Sequence, residues 1–148
     1  MKKLLLSLTA IGILQAMPGR TEDAAGKHPI DAKVSALVDK AVTTADMIQA
    51  FNKGTALWDA ELNRVYQALR KALPAPAAEK LKLAQQQWLL YRDASYALID
   101  EQYSQYDGTL YLPLRVAARM RVTEDRARYL KDLLETQQEH RGADTTQK

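Results

Sequence analysis

An all-α fold, an antiparallel up-down bundle of three long helices preceded by a short one, is predicted by three observations. Apolar residues recur every three or four positions through most of the chain, the signature of amphipathic helices. Gly and Pro are few and Phe occurs once, a composition that favours helices over a sheet sandwich. Break signals fall where long helices would turn back, at Thr43-Thr44, Pro74-Ala75-Pro76 and Asp107-Gly108-Thr109. At 148 residues the chain is one domain, long enough to bury a core.

Residues 1–16 read as a signal peptide. Lys2 and Lys3 precede the apolar run Leu4 to Leu14, and Gln15-Ala16 leads into Pro18-Gly19. The run is too short to span a bilayer, and cleavage is expected after Ala16. The polar, aperiodic residues 17–30 read as a flexible leader. A folded domain is then expected over 31–138, with 139–148 a disordered tail.

Within that domain, Asp31 is positioned to cap a short helix, Ala32 to Val42, with Val34, Leu37, Val38 and Ala41 as its stripe. Thr44 is expected to cap a long helix with Asp46 in its first turn, where the helix dipole favours negative charge. Ile48, Phe51, Thr55, Trp58, Leu62, Val65, Leu69 and Leu73 form its stripe. Gly54 interrupts it at a cost of about 1 kcal/mol relative to Ala, which points to close packing or a bend. Pro74 and Pro76 end this helix and start the next. There Ala77, Leu81, Ala84, Trp88, Tyr91, Ser95 and Leu98 line one face, widened by Leu90, Ala94 and Ala97. The segment Trp58 to Asp93 is thus expected to be a hairpin with its inner faces pressed together. The last stripe is Leu110, Leu114, Ala117, Met120, Ala127, Leu130 and Leu134, with Thr109 available as cap and Pro113 harmless in the first turn.

The residues for catalysis are missing. There is no Cys, hence no thiol nucleophile, thiolate metal site or disulfide. Both histidines, His28 and His140, fall in the expected leader and tail, and neither a phosphate-cradling loop nor a di-iron Glu-x-x-His pair is present. The carboxylate pairs Asp59/Glu61 and Asp100/Glu101 are too closely spaced to face each other on a helix. The expectation is a non-enzyme without metal or cofactor. The net charge of +3 includes Lys2 and Lys3 and falls to about +1 without them, too little to suggest nucleic acid.

Asn63, Arg92 with Asp93, and Arg126 sit inside or beside the apolar stripes. Hydrogen bonds and ion pairs at helix seams suit them, with Glu61 or Asp93 as partners for the arginines; a polar patch for a partner is the alternative. Tyr103, Tyr106 and Tyr111 surround the Asp107-Gly108 turn, where they suit an interface or the closing of a bundle end equally.

Three motifs in order carry a resemblance: D-x-E-L-N-x-x-Y-x-x-L with Asp59, Glu61, Asn63 and Tyr66; A-Q-x-x-W-x-x-Y-R-D with Trp88, Arg92 and Asp93; and T-x-x-R-A-x-x-L with Arg126. Together they resemble the LprI-type lysozyme-inhibitor family over roughly residues 43–135. The resemblance implies an exported, helical, non-enzymatic protein, periplasmic or secreted, with a protein partner that for some members is lysozyme. Members commonly carry a cysteine just after the Arg-Asp pair, where this chain has Tyr96. The alternative is a structural or stress-related envelope protein that binds another protein or the cell wall. For an inhibitor the Pro74–Pro76 turn is too small and apolar to plug a cleft. The binding residues are therefore expected on the other turn: Tyr106, Asp107, Thr109 and Tyr111.

Overall fold

The computed structural model describes residues 28–146, with side chains through residue 142. The expected signal peptide lies outside the described residues, as does most of the expected leader. Four helices follow one another, α1 (Pro29–Asp39), α2 (Thr44–Ala72), α3 (Ala75–Ser104) and α4 (Tyr111–Thr146), with no strand among the described residues.

Each start has a local cause. His28, not Asp31, caps α1: its Nδ1 accepts from the Ile30 N–H at 3.2 Å, while Asp31 reaches back to the His28 N–H at 2.8 Å. That reciprocal pair is a capping box one turn earlier than the stripe indicated. Thr43 rather than Thr44 caps α2, its hydroxyl accepting from Asp46 N–H at 3.1 Å. Hydrogen bonds from the Thr43 side chain and backbone hold the Asp46 carboxyl below its usual pKa. Pro74 sits at the N-cap of α3 and supplies no side-chain bond. Pro113 is the third residue of α4, where the missing N–H has no intrahelical partner to lose. Beyond Gln138, where polar composition suggested a tail, α4 continues to Thr146.

Packing departs from the expected hairpin. The principal partner of α2 is α4, and α2 meets α3 less than any other neighbour. Gly54 lies beside Met120 and Trp58 beside Arg128, so α2 and α4 run parallel. Gln85 pairs with Arg126 and Asp100 with Arg119, so α3 runs antiparallel to α4. The up-down order therefore holds, with α3 returning the chain to the end where α4 begins. Trp58, Leu62, Val65 and Leu69 of α2 share one core with Ala127, Leu130 and Leu134 of α4, to which α3 adds Leu81 and Trp88. Helix α1 covers the other half of α2, burying Ile30 and Val34.

Gly54 marks the closest approach. A Cβ there would stand 2.5 Å from Met120 Sδ and 2.9 Å from Val34 Cγ2, so close packing accounts for the glycine. Two expected stripes are corrected. On α3, Ala84, Leu90, Tyr91, Ala94, Ala97 and Leu98 are exposed, because the inward face turns with Leu81 and Trp88. In the last stripe Leu110, just before α4, and Leu114 are exposed, whereas Pro113 and Thr123 of α4 are buried.

Candidate functional site

The α3–α4 turn stands at the end of the bundle where α1 also gives way to α2. The α3 backbone stops at Ser104, and Gly108 reverses the chain at φ 110°, a left-handed conformation that favours glycine. Around that reversal the tyrosines pack on each other. Tyr103 meets Tyr106 edge to face with centroids 5.9 Å apart, and Tyr106 stacks on Tyr111 at 4.9 Å. Such pairs hold their geometry at low entropic cost. Tyr106 is 46% exposed, Asp107 and Thr109 are exposed, and Tyr111 is half-buried. The four residues picked from the sequence thus lie on one turn, as a stiff aromatic stack with a carboxylate and a hydroxyl at its tip. Below it Asp100 pairs with Arg119 and lies 3.9 Å from Arg115, tying the end of α3 to the start of α4.

The motif residues lie elsewhere, and most of their polar bonds stay within one helix. Asn63 is exposed, and its Nδ2 donates to the Asp59 carbonyl at 2.9 Å within the same helix, not across a seam. Glu61 takes Arg64, both bonds at 2.7 Å, instead of Arg92 or Arg126. The Arg64 hydrogen bond, ahead of the opposing effect of burial, holds the Glu61 carboxyl below its usual value. Tyr66 packs against the core. Arg92 pairs with Asp93 at 2.7 Å, as expected, and lies over Trp88.

Arg126 departs from expectation. It lies over the same Trp88 and over Tyr129, and its Nε donates to Gln85 at 3.1 Å, with no carboxylate paired to it among the described residues. Burial lowers its pKa accordingly. Tyr96 and Thr123 join across α3 and α4 through their hydroxyls at 3.0 Å.

Two residues that the sequence reading overlooked tie α1 to the bundle. His28 stacks on Trp58 at 4.7 Å, and Arg128, over the other reach of that indole, donates to both Asp31 oxygens at 2.7 Å and to Glu124 at 2.9 Å. Burial opposes the Arg128 charge, but the bonds to Asp31 and Glu124 outweigh it and hold its pKa above the usual value. Glu124 lies four residues before Arg128, the one local sign of this pairing. Among the described residues no cluster of three metal-ligating side chains occurs, and no helix is long and apolar enough to cross a membrane.

A family model described as "Lysozyme inhibitor LprI" matches residues 38–130. The crystal structure of an uncharacterized protein from Burkholderia thailandensis is similar, with 25% identity and a TM-score of 0.71. The likeness covers 76% of this chain and 57% of that one, so this chain spans little more than half the matched protein's length. No curated protein matches.

Proposed function

Since the chain belongs to the LprI lysozyme-inhibitor family, we propose that it is an exported, non-enzymatic protein whose partner is a lysozyme. The family match over 38–130 is the observation that carries this reading. The α3–α4 turn is the part suited to the task. Lysozyme clefts accept sugar rings between walls that carry a pair of carboxylic groups. The Tyr106–Tyr111 stack offers flat amphipathic faces in place of those rings. Asp107 and Thr109 add an acceptor and a hydroxyl for the polar groups of the cleft, and Gly108 lets the backbone project. Because the rings already pack together, little ordering entropy remains to be lost on binding.

The test is a lysozyme turbidity assay on the parent and on a variant with Tyr106, Asp107 and Tyr111 all changed to Ala. The expected result is inhibition by the parent and a potency at least ~10-fold lower in the variant, with an unchanged helical spectrum. Equal inhibition by the two moves the site away from this turn. A parent without inhibition rejects lysozyme as partner and leaves the envelope-binding role.

A further inference from the structure

Helix α3 is apolar on two faces, and the fold covers one of them. Leu81 and Trp88 point into the core. Two positions on from each, about 200° round the helix, Leu83 and Leu90 face outward. Leu83 is 53% exposed, Leu90 65%, Tyr91 63% and Leu98 69%. With exposed Ala84, Ala94 and Ala97 they make an apolar stripe interrupted once, by exposed Gln87, which the register below sets opposite Ala94. The tyrosine turn lies beyond its end.

The stripe is self-complementary when reversed. Laid antiparallel on a second copy with the two-fold axis between positions 90 and 91, Leu83 falls opposite Leu98, Ala84 opposite Ala97, and Leu90 opposite Tyr91. The same register places Lys80 opposite Glu101 at both ends. Both are exposed, and among the described residues Lys80 has no ion-pair partner and the Glu101 carboxylate accepts only from the neutral Gln105. A parallel pairing would instead set Lys80 against Lys80 and Glu101 against Glu101. Apolar matching and charge complementarity thus select the same occupant in the same orientation.

We infer that this outward face of α3 is a self-association surface, through which two copies of the chain pair antiparallel about an axis at Leu90–Tyr91. Residue i of each copy meets residue j of the other and the reverse, as a closed two-fold contact requires. A contact only one helix wide lies at the low end of specific interface sizes, so the dimer is weak and concentration-dependent. The pairing does not rest on lysozyme binding. It would carry the two tyrosine turns to opposite ends, roughly 45 Å apart by helix rise.

Sedimentation equilibrium over a wide concentration range, followed by cross-linking, tests it. The expected result is a reversible dimer that Leu90→Glu weakens at least ~10-fold without change in the helical spectrum. Lys80→Glu alone should weaken it several-fold, and adding Glu101→Lys should restore it. The protein has no cysteine, so Leu83→Cys and Leu98→Cys variants give clean labels. A short bis-maleimide should join them efficiently when mixed and poorly when each is alone. A monomer at every concentration overturns the inference. So does a failure of the double charge exchange to restore pairing, or self-linking of either single-cysteine variant as efficient as linking in the mixture.

Discussion

Gly54 is where a single hydrogen decides the packing distance. Alanine there would gain up to ~1 kcal/mol of helix propensity. Its methyl, however, would meet Met120 Sδ at 2.5 Å and Val34 Cγ2 at 2.9 Å. The thioether can swing aside, but the β-branched valine is stiff, and overpacking of this kind costs about 1–3 kcal/mol. The expected outcome of Gly54→Ala is a net loss of about 1–2 kcal/mol in urea unfolding. A neutral or stabilised variant would mean that α1 moves outward at no cost. The sequence marked Gly54 as exceptional but left two explanations, since a glycine inside a helical stripe looks the same whether the helix bends or a neighbour approaches.

At the scale of the element, two arginines two residues apart on α4 act oppositely. Arg128 fastens α1: it engages Asp31 and Glu124 and lies 4.7 Å from the Trp58 centroid. Arg128→Met leaves Glu124 without its cation and Asp31 with only its capping bond to His28, and should cost about 1–2 kcal/mol, less than a fully buried pair because its side chain is 37% exposed. Faster amide exchange confined to α1 would report the loosened helix. Arg126 is half-buried, and among the described residues its one hydrogen-bond partner is a neutral amide. Arg126→Met replaces a desolvated charge with an apolar side chain over Trp88, so stability should hold within about 1 kcal/mol or rise. If both variants lose equally, the contrast in partners is not what separates them. Only the Glu124–Arg128 spacing set these arginines apart in the sequence; the pairing with Asp31 arises because position 128 faces α1.

Across the whole molecule, acid should remove stability in part through Glu61. Its folded pKa is depressed below the ordinary 4.5, chiefly by the Arg64 hydrogen bond. A depressed carboxylate contributes stability above its unfolded value, and that contribution is lost as pH falls through the folded value. The stability difference between the parent and Arg64→Gln should therefore be full near neutrality and shrink below pH 4.5. A difference that stays constant from neutrality to acid would assign the Arg64 effect to packing rather than charge.

The sequence by itself determined the four helices, the breaks between them and the turn that presents the tyrosines, though not where α1 begins or α4 ends. These follow from local terms: apolar periodicity, prolines at breaks, an aspartate suited to a first turn, and a glycine at the reversal. Only the tertiary structure decided which face meets which. Periodicity reports that one side of a helix is apolar about its own axis, and it is silent on what covers that side. The Trp58–Asp93 hairpin shows the consequence, since α2 found its main partner in α4 and kept only limited contact with the helix next in sequence. Helix α3 shows it again. Leu81 and Leu83 are the same residue type two positions apart, yet one is 7% exposed and the other 53%. Both faces of α3 are apolar enough to pack, and the bundle has room to bury one.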